Sequence, residues 1–146
     1  MALDAGVGLI AVDGFDDIDR LERLVKGRSE RQALLLRVTP GVRGDTHDKI
    51  STGQADSKFG VSIGDAPAAI ERLRASRGLE LRGLHMHIGS NLFSVGPFRA
   101  AIAALAALGD FAVYDVGGGL GAAYTAVSYT HLEPLERDAP EREPAL

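Results

Sequence analysis

The chain of 146 residues contains no cysteine, so disulfide bonds and thiolate metal sites are excluded. It has no apolar run near the roughly 20 residues of a membrane-spanning helix, and its first residues lack the basic-then-apolar pattern of a signal peptide. No stretch is rich in lysine and arginine, and the net charge of -4 argues against a nucleic-acid partner. We therefore expect a cytoplasmic protein that acts without a membrane or a nucleic acid.

What the sequence does contain is an alternation of short apolar runs and amphipathic segments. The apolar runs are typical of strands buried in a parallel sheet, and the segments between them place apolar residues at helical spacing. Strands are predicted at residues 7–13, 33–38, 59–63, 79–88 and 112–116, and helices at 16–25, from 65 onward and at 97–108. This order predicts an α/β fold with a parallel sheet and right-handed crossovers. It leaves open whether the sheet is doubly wound or part of a (β/α)8 barrel.

The character of the sequence changes after Tyr124. Residues 125–146 contain three prolines among many acids and arginines, and they show neither a helical nor a strand period. We interpret residues 3–124 as the folded part of the chain. The last segment is interpreted either as a disordered acidic tail or as a foreign, artefactual extension.

Two histidines stand near the end of the fourth predicted strand, in the run from His85 to Ser90. Because residues two apart on a strand point to the same face, His85 and His87 should face together. Such a pair could ligate a metal ion, as in barrel hydrolases, with further ligands from His47 or His131. The structural alternative is that both histidines are satisfied by their neighbours and bind nothing.

A glycine-rich turn from Asp115 to Gly121 follows the last predicted strand. Successive glycines let backbone N–H groups approach an anion, and a following helix N-terminus would add its dipole. A dinucleotide-binding loop is one alternative, because Gly117, Gly119 and Ala122 nearly fit its spacing, although the acid that it requires would fall in the tail. A plain change of chain direction is another.

The two motifs together predict more than either alone. The carboxyl ends of neighbouring parallel strands share one edge of the sheet, where α/β proteins keep their active sites. The Ser90 hydroxyl and the N–H groups of Gly117, Gly118 and Gly119 could then hold one phosphate. His87 would lie against a flat ring attached to that phosphate, so the sequence predicts a site for a phosphorylated aromatic cofactor.

At these residues the sequence resembles the diaminopimelate/ornithine/arginine decarboxylase family, whose N-terminal domain is an alanine-racemase-like barrel that binds pyridoxal phosphate. The matching stretches, in the family's order, are residues 36–38, 58–60, 83–90 and 115–121. Within the family, residues 46–53 and 56–60 look like the diaminopimelate branch. The resemblance implies that residues 3–124 form a partial (β/α)8 barrel of about five parallel strands with intervening helices.

The resemblance also implies a cofactor, pyridoxal 5'-phosphate, and residues that bind it. These residues are His87, Ser90, Gly117, Gly118, Gly119 and Arg37. The histidine would stack on the pyridine ring, and the serine and the glycines would hold the phosphate. Arg37 would lie near the polar edge of the ring, although a strand arginine could equally be a structural ion-pair partner.

The activity implied by the resemblance is decarboxylation of a small amino acid by a homodimeric parent enzyme, most simply meso-diaminopimelate to lysine and carbon dioxide. The alternatives are another decarboxylase of the family, acting on ornithine, arginine or a carboxylated polyamine, and a non-catalytic pyridoxal-phosphate-binding module. The family's Schiff-base lysine has no counterpart here, because Lys26, Lys49 and Lys58 stand in other contexts. Its Glu-Pro-Gly-Arg segment and its C-terminal β domain are also without a match. We therefore expect a fragment without a catalytic residue and without turnover of its own.

Overall fold

Strands and helices alternate along the chain as the apolar pattern predicts, and the computed structural model describes them over residues 2–42 and 58–121. The elements are β1 Ile10–Val12, α1 Phe15–Leu24, β2 Gln32–Thr39, β3 Val61–Ser62, α2 Ala66–Ala75, β4 Leu79–His85, α3 Gly96–Ala106 and β5 Val113–Asp115. Residues 43–57 and the tail predicted at 125–146 lie outside these ranges. None of the described helices is both long enough and apolar enough to cross a membrane.

The five strands form one parallel sheet in the order β1-β2-β4-β5, while β3 pairs with the last residues of β2. Neighbours in the sheet therefore follow one another along the chain. Since right-handed crossovers that all step in one direction leave the helices on one face, this order is that of a barrel wall. A doubly wound sheet would reverse direction. The structure thus confirms the α/β fold and the partial barrel.

Three predicted strands are clearly shorter in the structure. The one at residues 7–13 shortens to β1, which runs only from Ile10 to Val12. The one at residues 59–63 shortens to β3, which bonds only to Val38 and Thr39 at the end of β2. The one at residues 79–88 ends at His85, because the ladders to β2 and to β5 both end there. His87 and Ser90 therefore lie on the segment that follows β4.

The helices start where their sequences favour a helix N-terminus. The carboxylates of Asp16 and Asp17 lie in the first turn of α1, where the helix dipole stabilises negative charge. Proline occupies the first turn of α2 and of α3. A backbone N–H at that position would have no partner within the helix, so its absence in proline costs no hydrogen bond. These starts follow β1, β3 and β4, so each helix leaves from the carboxyl-end edge of the sheet.

The core lies between the helices and one face of the sheet. Ile18, Leu73 and Leu105 come from the three helices and pack with strand residues such as Leu34 and Leu84, all at most 1% exposed. Burying a side chain of this size stabilises the fold by about 1.5–3 kcal/mol. The opposite face carries the alternate strand residues, and its polar members gather at the carboxyl end.

A bulge in β4 decides which residues reach that opposite face. Leu34 of β2 pairs with Leu81, but the next residue, Leu35, pairs with Gly83. Arg82 therefore has no register partner on β2. Before the bulge the odd-numbered Leu79 and Leu81 face the helices, and after it the even-numbered residues do so. His85 therefore points away from the apolar core.

Candidate functional site

A row of four ionisable side chains crosses the sheet at its carboxyl end. Arg37 is paired in register with His85, and His85 with Asp115, while Asp13 follows β1 directly beside Arg37. The Nη1 atom of Arg37 lies 2.9 Å from Oδ1 of Asp13, and Nδ1 of His85 lies 3.0 Å from Oδ2 of Asp115. We call these four residues the polar row. Each of its two basic groups faces an acid.

Asp13 is held in the row by the start of α1. Its backbone N–H donates to the carboxylate of Asp17 at 3.1 Å, one turn into the helix. On the other side of the pair, the guanidinium carbon of Arg37 lies 5.2 Å from the centre of the Phe59 ring. Arg37 is thus fixed between a carboxylate and an aromatic face. The ion-pair role that the sequence left open for Arg37 is present in the structure.

Asp115 connects the row to the glycine-rich turn. Its Oδ1 atom accepts a hydrogen bond from the Gly117 N–H at 2.9 Å, while its other oxygen faces His85. The bond from Gly117 lowers the pKa of Asp115 below its ordinary value, partial burial opposes this, and His85 adds to the lowering. The carboxylate is therefore the favoured form of Asp115 near neutral pH.

A pH dependence follows from this lowered pKa. A carboxyl group whose pKa is lower in the folded chain stabilises the fold above its unfolded pKa, and that contribution disappears as the pH falls through the folded pKa. We expect the difference in unfolding free energy between the wild type and D115N to shrink as the pH falls below the ordinary value of 3.8. Urea unfolding over a descending pH series measures this, and an NMR titration of the Asp115 carboxyl should give a midpoint below that value. A midpoint above it would contradict the assignment.

The segments that follow β4 and β5 run side by side and form one edge. The Met86 N–H donates to the Asp115 carbonyl at 2.9 Å, and the Leu92 N–H donates to the Gly119 carbonyl at the same distance. The Gly121 N–H returns a bond to Leu92 at 2.8 Å. Residues 86–92 and 115–121 are thus joined by backbone hydrogen bonds at both ends.

Glycine is required at two positions of this edge. Gly117 has φ +68°, and a Cβ added there would lie 2.5 Å from the Met86 carbonyl oxygen and 3.0 Å from Nδ1 of His87. Gly119 has φ +103°, and its added Cβ would lie 1.8 Å from the Gly89 carbonyl oxygen. Both φ values lie where side chains are strained. The missing side chains are what lets the two segments approach.

The predicted residues therefore meet at one edge. His87 is half-buried next to Gly117, and the backbone at Ser90 is adjacent to Gly119. Ser90 and Gly118 are exposed, so an incoming anion can reach both. The N–H of Gly117 already donates to Asp115, so Gly117 contributes through its conformation, and the amides of Gly118 and Gly119 remain the candidates for an anion. A phosphate joined to a flat ring fits this donor set.

The sequence assigned no role to the two acids of the polar row, and it left His85 either a metal ligand or a structural residue satisfied by its neighbours. A signal existed for Asp115, since an aspartate just before a glycine turn often accepts a bond from an amide two residues on. No comparable signal pairs Asp13 with Arg37. Within residues 2–42 and 58–121, no three histidine or acidic side chains come together as metal ligands. The metal interpretation of His85 thus gains no support there.

Two of the three lysines lie within the described ranges. Lys26 follows α1, whose end lies at the amino-terminal side of β2 and thus opposite the polar row. The Nζ atom of Lys58 lies 5.8 Å from the centre of the Phe59 ring, which also faces Arg37. Lys49 lies outside these ranges. That none of the three corresponds to the family's Schiff-base lysine stays a prediction.

The comparisons with known proteins agree with this geometry. Residues 1–139 match the family described as pyridoxal-dependent decarboxylase, pyridoxal binding domain. The chain is 41% identical over 136 residues to the diaminopimelate decarboxylase of Bacillus subtilis, which covers 86% of this chain and 31% of the relative. It is also 41% identical over 138 residues to the diaminopimelate decarboxylase of Mycobacterium tuberculosis. That alignment covers 84% of this chain and 31% of the relative. The chain thus spans about a third of the length of these curated relatives.

Solved structures show the same fold. Diaminopimelate decarboxylase from Helicobacter pylori, complexed with L-lysine, matches with a TM-score of 0.74 and 28% identity, over 92% of this chain and 39% of that one. The M. jannaschii enzyme, in co-complex with L-lysine, matches with a TM-score of 0.69 and 29% identity, over 83% of this chain and 30% of that one. The described sheet therefore corresponds to part of such an enzyme.

Proposed function

This chain belongs to the pyridoxal-dependent decarboxylase family, and from that premise we propose that it forms part of the pyridoxal-phosphate site of a diaminopimelate decarboxylase. The matched family region is its pyridoxal-binding domain, so the cofactor is pyridoxal phosphate. The share of the enzyme present here is a portion of the barrel wall with its carboxyl-end edge.

One observation carries the proposal. The segment with His87 and Ser90 is hydrogen-bonded alongside the glycine segment, at contacts that only glycine permits. An exposed serine and the amides of Gly118 and Gly119 then lie on the same edge as the His87 imidazole. These are the groups that a phosphate and an attached ring require. A glycine turn that only changed the direction of the chain would not require the segment with His87 and Ser90 to lie alongside it.

Each side chain has a separate task in this site. Ser90 would donate its hydroxyl to the phosphate, together with the amides of Gly118 and Gly119. His87 would lie against the face of the pyridine ring and fix its plane, and Arg37 would present positive charge near the ring's polar edge. When bound, pyridoxal phosphate supplies the electron sink for the electrons released as the substrate loses its carboxylate. The tasks of this chain are therefore binding and orientation.

The proposed substrate is meso-diaminopimelate, with lysine and carbon dioxide as products. The names of the relatives support it, as do the two solved relatives that hold L-lysine. Lysine is the compound left when diaminopimelate loses one carboxylate. We extend the proposal to a homodimeric enzyme in the cytoplasm. That extension rests on the family resemblance, and no described contact bears on it.

Cofactor binding by the purified 146-residue chain tests the proposal. We expect binding of pyridoxal phosphate, and weaker binding of pyridoxal because the latter lacks the phosphate. S90A should weaken only the phosphorylated compound, by about tenfold to a hundredfold for one lost bond to a charged group. H87A should weaken both compounds, since it removes a contact to the ring. Absorbance and fluorescence titrations measure each affinity.

Ser76→Ala is the matched control, because Ser76 ends α2 at the opposite end of the sheet. It should bind both compounds as the wild type does. A wild-type chain that binds neither compound above the level of an unrelated protein would overturn the proposal. So would equal losses for S90A with and without the phosphate.

A further inference from the structure

Asp115 contacts two separate segments with its two carboxylate oxygens. Oδ1 accepts the Gly117 N–H at 2.9 Å and so closes the first turn of the glycine segment. Oδ2 lies 3.0 Å from Nδ1 of His85, which belongs to β4. The imidazole of His85 is mostly buried, with 19% of its side chain exposed. One side chain thus links the end of β5, the start of the glycine segment and the neighbouring strand.

The glycine segment requires such an anchor. The β5 ladder ends at Asp115, and three successive glycines follow it. Glycine loses more backbone freedom on ordering than any other residue, so this segment has little conformational preference of its own. The bond from Gly117 to Asp115 fixes the orientation of the Gly117 N–H, from which the segment starts, and Gly117 itself takes a left-handed conformation with φ +68°. The direction of the following amides depends on that start.

His85 is placed to keep the anchor in position. It is the register partner of Asp115 on β4 and stands two residues before His87. Its other neighbour in the polar row, Arg37, is directed to Asp13 at 2.9 Å. The carboxylate of Asp115 therefore meets its basic partner in His85. Through this pair, the strand that leads to the ring-stacking residue is tied to the segment that receives the phosphate.

From these contacts we propose that His85 and Asp115 are a pair of positioning residues that hold the amides of Gly118 and Gly119 toward the phosphate. The inference rests on the proposed function, since it concerns the same cofactor. Neither residue touches the phosphate in this assignment. Asp115 acts through Gly117, and His85 acts through Asp115.

Whether removal of the Asp115 carboxylate weakens or strengthens cofactor binding distinguishes a positioning role from a simple charge effect. An aspartate that acted only as a nearby negative charge would repel the phosphate, so its removal would strengthen binding. A positioning aspartate gives the opposite result. We expect D115A to weaken binding of pyridoxal phosphate by about tenfold, with pyridoxal changed less than twofold. H85A should act in the same direction but less strongly, and D115N should retain part of the affinity because its amide oxygen can still accept from Gly117.

Asp110→Ala is the matched control, as Asp110 is an exposed aspartate just before β5. It should bind both compounds as the wild type does. The experiment uses the full 146-residue chain and titrates pyridoxal phosphate and pyridoxal in parallel. Unchanged or stronger binding of pyridoxal phosphate by D115A would overturn the inference.

A second measurement decides the inference without any cofactor. Amide hydrogen exchange at Gly117, followed by NMR, should be slow in the wild type and in Asp110→Ala, and clearly faster in D115A and H85A. Equal exchange in all four proteins would overturn the inference even where cofactor binding differs. A wild type that binds no pyridoxal phosphate overturns the proposed function instead, and the exchange rates still decide whether the pair holds the turn.

Discussion

The 146-residue chain, saturated with pyridoxal phosphate, is expected to release no carbon dioxide from meso-diaminopimelate. The family resemblance implies that the cofactor is attached through a lysine, and we predict that none of Lys26, Lys49 and Lys58 takes that place. Without the covalent link, turnover should be at least about a thousandfold below that of an intact enzyme. The assay is release of labelled carbon dioxide, with free cofactor as the blank and the Bacillus subtilis enzyme as the positive control.

A chimera tests whether the lack of turnover comes from the missing lysine and domain and not from the cofactor contacts of this chain. If this chain replaces the matched stretch of the Bacillus subtilis enzyme, the relative supplies the lysine and the remaining domain, while the ring and phosphate contacts come from this chain. We expect the chimera to decarboxylate meso-diaminopimelate. Release by the isolated chain near the rate of the positive control would contradict the first expectation. A folded, cofactor-loaded chimera that acts on ornithine or arginine instead would redirect the proposed substrate.

Substituting alanine for Gly119 is expected to abolish cofactor binding, whereas the same change at Gly8, before β1, should have little effect. The Cβ at position 119 would overlap the Gly89 carbonyl oxygen at 1.8 Å, on a backbone whose φ is +103°. Overpacking and left-handed strain each cost about 1–3 kcal/mol, so the two segments must separate. That separation breaks the bond from Leu92 to Gly119 and moves the amide that would hold the phosphate.

Gly8 is a matched control for this prediction, because it precedes β1 and so lies at the opposite end of the sheet from the glycine segment. At Gly8 an added Cβ would meet nothing within 4 Å, and its φ lies outside the left-handed region. A titration with pyridoxal phosphate and a thermal unfolding curve for both variants measure the contrast. Wild-type affinity in Gly119→Ala, or equal losses in the two variants, would show that the close approach to Gly89 is unimportant.

The fold could be predicted from sequence to the extent that it depends on local periodicity. Apolar runs located the strands, and residues such as Ile18 and Leu73 located the helix faces that pack on them. The order of strands in the sheet could not be obtained in this way, because it depends on which neighbours pair. The run at residues 59–63 shows the limit most clearly. Its apolar character is right for a strand, but only Val61 and Ser62 find a partner, at the end of β2.

In the candidate site, too, the local motifs could be predicted from sequence and the contacts between strands could not. His87, Ser90 and the glycines were predictable because their chemistry is local to two short motifs. The pairs of Asp13 with Arg37 and of His85 with Asp115 join residues that are 24 and 30 positions apart, and they depend on strand register. Register between β2 and β4 shifts within the sheet next to Gly83, and an isolated glycine in a strand is only a weak mark of such a bulge. For this reason the sequence alone could not decide whether Arg37 lies near the polar edge of the cofactor ring or is a structural ion-pair partner.

The bulge at Arg82 has a consequence for how this site can change over generations. Along a strand, whether a side chain faces the helices or the opposite face depends on whether an odd or an even number of residues precedes it. The unpaired residue in β4 reverses that parity between Leu81 and Leu84. Because Arg82 is the unpaired residue, loss of its codon would leave Gly83 opposite Leu35 in a regular ladder, and both histidines would keep their face. The gain or loss of one residue at this point of β4 can therefore be absorbed by the bulge without moving the histidines.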